Sequence, residues 1–229
     1  MGNPRDLIKS IDPTSAVGKE QSELLNALTT LAEAKKDAFK ELIAKSLRTA
    51  NTDENQTVAI VAVEDMQDEI HAYTSTAPAN TIEDAVNAST GKFLAGGAQN
   101  IVNGVTGLVS AFAASFLGKG SAGSVSDSMY TVARHGLGLW RVDVCAWSYT
   151  LQTSGLLTNM QSINVFVYSK STIDVQKLVF QTFLNKYQEA LEAASPAPTI
   201  DEMMKELDDV KKLYNALKNA GVNKLLKPL

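Results

Sequence analysis

Between Lys92 and Lys119 the chain runs for twenty-six residues, FLAGGAQNIVNGVTGLVSAFAASFLG, without a charge, in a protein where one residue in five is charged. Within this run Ile101, Val105, Leu108, Val109, Phe112 and Phe116 recur at helical spacing, and Gly107, Ala111 and Ser115 form a second row four residues apart. A helix of this composition has no face that water would solvate well. It must be covered by protein or by lipid, and that alternative governs the rest of the reading.

Charge distribution isolates the same region. Residues 81–170 carry 9 charged side chains, whereas the first eighty residues carry 21. A lightly charged centre between charge-rich flanks is the pattern of a core, an interface or a membrane-facing surface. The net charge of −4 supplies no field to attract nucleic acid, so DNA and RNA are excluded as expected partners. The single Cys145 excludes an intramolecular disulfide framework. The N-terminal MGNPRDLIKSIDPTSAVGK lacks the apolar stretch of a secretory signal, so localisation stays open between the cytoplasm and release by a non-classical route. Gly2 does not open a myristoylation motif, because Asp6 stands where Ser or Thr is needed.

Periodicity predicts helices on either side of the uncharged run. From Lys19 to Arg48 a wide stripe of Leu24, Leu28, Leu31, Ala38 and Leu42, with the neighbouring Leu25, Phe39 and Ile43, predicts a long amphipathic helix, with Lys45 and Arg48 at its C-terminal turn. Thr52 and Asp53 offer caps for a second helix through Ile60, Val63, Met66, Ile70 and Tyr73. TVAIVAV within it has strand character, but EDMQDEI continues the helical period. Residues 74–80 read as a loop, Thr81 as the cap of a third helix, Gly91, Gly96 and Gly97 as interruptions, and residues 118–124 as a flexible break. Further helices are expected from Ile173 to Ala194 and from Thr199 to a stop at Gly221.

Residues 139–152 and 162–173 are rich in β-branched and aromatic side chains and predict one antiparallel β-hairpin. Neither segment alternates cleanly between polar and apolar, so both of its faces should be at least partly covered. The expected fold is therefore α+β, mainly α: five or six helices bundled around the buried uncharged helix, with one hairpin. Residues 1–195 would form the main domain and 199–229 a C-terminal helix and tail packed on it.

Catalytic constellations are scarce. His71 and His135 have no spacing that pairs them with a nucleophile, and Cys145 in a predicted strand reads as a small buried hydrophobe. No metal motif is present, and Glu64, Asp65, Asp68 and Glu69 read as a solvated surface; no cofactor is expected. The glycine-rich segments fail both dinucleotide and P-loop spacing, and the sequons at Asn55 and Asn87 are without a secretory context.

The length of about 98–117 matches a hydrocarbon core of roughly 30 Å, but Gln99, Asn100 and Asn103 make a permanent anchor unfavourable. The leading expectation is a non-enzymatic protein, soluble when made, that oligomerises and inserts this helix into a lipid membrane. Gly107, Ala111 and Ser115 would then be its helix-packing row and Trp140, Trp147 and Tyr149 its interface aromatics. In layout alone the chain resembles soluble α-helical pore-forming toxins. The alternative is a structural self-assembling protein, a filament, shell or inclusion subunit, whose low-charge middle is buried between copies. A homo-oligomer is expected in either case, and a separate partner chain is a further possibility.

Overall fold

A four-stranded antiparallel sheet, rather than a helical bundle, organises the chain in the computed structural model, which describes residues 9, 11, 14–52, 55, 57–73, 81–94, 99–117, 123–150 and 162–220. In chain order the elements are α1 (Ala16–Arg48), β1 (Ile60–Tyr73), α2 (Thr81–Phe93), α3 (Gln99–Leu117), β2 (Gly123–His135), β3 (Gly138–Thr150), β4 (Ser162–Ile173), α4 (Phe180–Glu192) and α5 (Ile200–Ala220). The sheet order is β1-β4-β3-β2. The expected lone hairpin is its central pair, β3 against β4, with Trp140 opposite Thr172 and Thr150 opposite Ser162.

Two strands correct the expected fold class. Residues 60–73 form edge strand β1, not a helix. Register shifts between Ile60 and Ala62 and between Val63 and Asp65 each move the side chains to the other face, so the apolar residues fall three and four apart although the strand repeats every two. The β-branched run was the truer signal. The second is β2, whose first half, G-S-V-S-D-S, has too few apolar residues to declare itself. A two-residue turn joins it to β3, with Gly136 at φ 54° in the first central position and Leu137 82% exposed at the tip.

Helices cover both faces. On one face α1 lays Leu25, Leu28, Ala32, Phe39 and Ile43 on Trp147, Ile163, Val165 and Val167. On the other, α2 to α5 close over Val142, Val144, Ala146, Phe166 and Tyr168. Burial on both sides is why β3 and β4 read as nearly continuous apolar runs. Local chemistry starts and stops the helices. Ser15 Oγ accepts the Gly18 amide at the start of α1. Thr199 and Glu202 form a reciprocal capping box at the start of α5, with Glu202 Oε2 accepting the Thr199 amide at 2.8 Å. Val210, Tyr214 and Leu217 of α5 join the same core as α3 and α4. The expected loop at 74–80, the interrupting Gly96 and Gly97, residues 118–122 of the glycine-rich break, and Gly221 with its tail lie outside the described residues.

The uncharged segment is the inner helix of the second layer. Ile101, Val105 and Val109 of α3 are 0% exposed, and α4 crosses close against it. A Cβ on Gly104 would lie 1.7 Å from the Ala190 carbonyl oxygen, and one on Gly107 would lie 2.2 Å from that of Ala193. Only glycine permits this approach. Among the described residues no helix is long and apolar enough to cross a membrane. The pore-forming and toxin-like expectation is corrected on that finding and on the sheet: the apolar face of α3 is spent on the core between sheet and α4.

Candidate functional site

The most concentrated chemistry lies beneath the C-terminal half of α1. Alternation along β3 points Arg141, Asp143, Cys145 and Trp147 toward α1, and Arg141 and Asp143 are 1% and 4% exposed. Arg141 Nε donates to both carboxylate oxygens of Asp143, at 3.1 and 3.0 Å, and Nη2 donates to Oδ1 at 2.7 Å. Nη2 also donates to Ser46 Oγ at 3.1 Å, while Nη1 donates to Thr57 Oγ1 and the Val58 carbonyl, both at 3.0 Å. The guanidinium carbon sits 4.4 Å from the centre of the Tyr130 ring. Every nitrogen of the guanidinium is thus engaged, and one side chain ties α1, the loop before β1, and β3 together.

A hollow of about 110 Å³ opens beside this pair, bordered by Leu42, Ser46, Ser128, Tyr130 and Cys145. Burial pushes the Asp143 carboxyl above its ordinary value, against the lowering by Arg141. Burial, with the charges of Asp143 and Asp127, pushes the Cys145 thiol up to about 12. Cys145 is therefore a protonated thiol at neutral pH, the inverse of an activated nucleophile. The β4 neighbours in register, Ser171 beside Arg141 and Ser169 beside Asp143, are fully buried, and their hydroxyls have no hydrogen-bond partner among the described residues.

A second cluster lies on the opposite face, near the other end of β1. Glu69 Oε2 is 2.8 Å from His71 Nε2, and Ser89 of α2 donates to Glu69 Oε1. The residue types are those of a hydrolytic triad but the order is not, because the carboxylate stands between hydroxyl and imidazole. Burial opposes ionisation of Glu69; the hydrogen bonds from His71 and Ser89 and the charge of Lys92 outweigh it and hold its carboxyl below the usual range. Such a carboxylate is a weak base toward Ser89. Sequence reasoning missed both clusters, since neither the Arg141–Asp143 spacing nor a serine twenty residues from a glutamate is distinctive.

The four acidic residues of β1 disperse rather than converge. Asp68 pairs with Lys40 at 2.5 Å and Lys36 at 3.8 Å on the α1 side, Glu64 accepts from Thr172 Oγ1 at 2.5 Å, and Glu69 faces α2. Among the described residues no group of three or more His, Cys, Asp and Glu could hold a metal ion.

The residues singled out on α3 divide by face. Ile101, Val105 and Val109 are buried, Leu108 and Phe112 are partly buried against the same core, and the side chain of Phe116 lies outside the described set. Gly107 faces Ala193, whereas Ala111 and Ser115 are exposed. Gly104, not singled out in the sequence, makes the tighter approach, and its signal was the G-V-T-G spacing. Asn87, Asn103, Thr106, Ser110 and Ala111 border an open groove of about 400 Å³.

The three aromatics have separate settings. Trp147 is 1% exposed and donates from Nε1 to Ser124 Oγ at 2.7 Å. Tyr149 packs 6.1 Å from it, ring centre to ring centre. Trp140, on the opposite face, lies 4.5 Å from Lys170 Nζ. The side chain of His135 lies outside the described residues. No family model, curated protein or solved structure matches the chain.

Proposed function

We propose that the chain is a non-catalytic structural protein that associates with further copies of itself. The observation that carries this reading is a contrast between occupied chemistry and an open edge. The guanidinium of Arg141, the carboxylates of Asp143 and Glu69, and the thiol of Cys145 are all committed to internal contacts or held in unreactive protonation states. Yet β2 ends the sheet among the described residues, and Ser124, Ser126, Asp127 and Ser128 along it are exposed. An unprotected strand edge is a template for pairing with another chain. The low-charge middle therefore divides its work: α3 fills the subunit's own core, and β2 is left for neighbours.

Sedimentation of the full chain without lipid or detergent tests this, over a wide concentration series. A discrete species heavier than the 24.6 kDa chain is expected, growing with concentration. A monomer throughout the series would overturn the reading.

A further inference from the structure

The two edges of the sheet are built differently, and the difference selects one of them for pairing. Edge β1 carries two register shifts and four acidic residues. A second copy placed antiparallel on it, about a two-fold axis normal to the sheet, must oppose residues that share a face, so the axis passes through a residue. Centred on Gln67, Asp65 meets Glu69, and acid set against acid is destabilising; centred on Met66, the facing ladder is interrupted at Glu64 by the register shift between Val63 and Asp65. This is an edge arranged to refuse a partner.

Edge β2 pairs with β3 without a register shift from Gly123 to His135. Its second half is closed: Thr131, Val132 and Ala133 are 1%, 0% and 5% exposed, and Arg134 is tied to Glu206 of α5 at 3.3 Å. Among the described residues the open part is 123–129, G-S-V-S-D-S-M. One hydrogen bond fixes which of its backbone groups face outward. The Ser128 amide donates to Oδ1 of the preceding residue, Asp127, at 2.8 Å, which places that amide on the side away from β3. Amide and carbonyl of one residue point the same way in an antiparallel ladder, and the direction alternates along the strand. Ser124, Ser126 and Ser128 therefore present their backbone groups at the open edge.

We propose that residues 123–129 form the seam between two copies of this chain, paired antiparallel about Ser126, with the Asp127 carboxylate acting as a brake on that pairing. The proposal rests on the self-association reading and names its contact. Centred on Ser126, all seven residues align: Ser126 on Ser126, Ser124 on Ser128, Val125 on Asp127 and Gly123 on Met129. No like charges stand opposite, and the three outward-facing serines meet one another, so each can exchange backbone hydrogen bonds with the second copy. Moving the axis one residue to Asp127 would set two carboxylates face to face. Leu42 of α1, 46% exposed, borders the same hollow as Ser128 and Met129 and adds apolar surface beside the seam.

Asp127 opposes the seam in two ways. Its carboxylate occupies the Ser128 amide that the second copy would use, and about the Ser126 axis the two Asp127 side chains stand diagonal to each other on one face. Asp127→Asn weakens both effects, so it is expected to tighten association about threefold to tenfold. Ser126→Pro deletes the central outward donor in both copies. Because that amide does not serve the β2–β3 ladder, the subunit should fold, while the dimer weakens at least about tenfold. Ser126→Lys provides a second route, solvated in the monomer and set against its own copy in the dimer.

Sedimentation velocity on the full chain and the three variants, with thermal melts as the folding control, decides the matter. Amide exchange at Ser124, Ser126 and Ser128 should slow as concentration rises. Weaker association in Ser126→Pro or Ser126→Lys at unchanged melting temperature, together with tighter association in Asp127→Asn, is the expected result. Oligomers that neither Ser126 variant disturbs would overturn the seam and leave the self-association reading standing. A chain that is monomeric even as Asp127→Asn would overturn both.

Discussion

The two faces of the sheet solve the problem of burial by opposite means. Beneath α1 a single helix covers the strands, and an ion pair with a full set of hydrogen bonds, Arg141 with Asp143, sits within its contact with the sheet. Beneath α2 to α5 the cover is several helices deep, and closeness comes from missing side chains, Gly104 and Gly107 against the carbonyls of α4. A buried ion pair gains Coulombic energy but loses hydration, so its net contribution is small while the penalty for halving it is large. Glycine contacts carry no such debt, and they fail only when atoms are added. The α1 face is thus sensitive to what is removed, and the opposite face to what is inserted.

The largest expected effect breaks the first face. Arg141→Met leaves Asp143 buried without its cation and deprives Ser46, Thr57 and the Val58 carbonyl of their donor, which should cost about 3–5 kcal/mol in denaturant unfolding. Arg141→Met combined with Asp143→Leu should recover most of that loss, since both charges are then gone. A double variant as unstable as the single one would mean that the pair itself, and not the stranded carboxylate, supplies the stability.

The opposite face is tested by addition. Gly104→Val forces branched carbons into the Ala190 carbonyl, and overpacking of this kind costs about 1–3 kcal/mol. Gly91→Ala in α2 is the matched control: a Cβ there meets nothing within 4 Å, and the change should stabilise by up to about 1 kcal/mol through the unfolded chain. Similar losses at both positions would show that helix packing does not set the tolerance.

These contrasts explain what the sequence made legible. The amphipathic stripe of α1, the cap at Thr199 and the strand character of residues 139–150 and 162–173 are local signals, and each is repeated over several residues. The missed strands are edges. In β1 the register shifts and solvated acids imitate a helical period, and in β2 the serines alternate with Val125, Asp127 and Met129, only two of them apolar. β1 is specified mainly by β4, the neighbour it pairs with, which lies far along the chain, whereas β2 adjoins β3 through a two-residue turn and is hidden by its own polar composition. The same distance hid the polar clusters: Arg141 meets Ser46 and Ser89 meets Glu69 only after the sheet and its helices assemble.

Acid titration compares the faces by sign. The Glu69 carboxyl is held below its ordinary range, so its contribution is present above that range and is lost as pH falls through the lowered value. The Asp143 carboxyl is raised, so the folded state holds its proton longer than the unfolded chain does. Its contribution is greatest in acid and declines as pH rises from the ordinary value through the raised one. Unfolding free energy measured across the acid range should lose its upward step with rising pH in Glu69→Gln and its downward step in Asp143→Asn. Shifts of the same sign in both variants would contradict the opposed environments.

The smallest effect probes the polar floor under α1 without touching the ion pair. Ser171 is fully buried beside Arg141 in register, and its hydroxyl is unsatisfied among the described residues, whereas the guanidinium directs its donors to Asp143, Ser46, Thr57 and Val58. A buried hydroxyl without a hydrogen bond costs about 1–3 kcal/mol, and the space left by one oxygen returns part of that. Ser171→Ala should therefore stabilise by about 1 kcal/mol in urea unfolding, with the Arg141 contacts unchanged. Should the variant lose stability instead, the hydroxyl must be bonded through water, and the α1 face would owe its strength to a hydrated seam as well as to its ion pair.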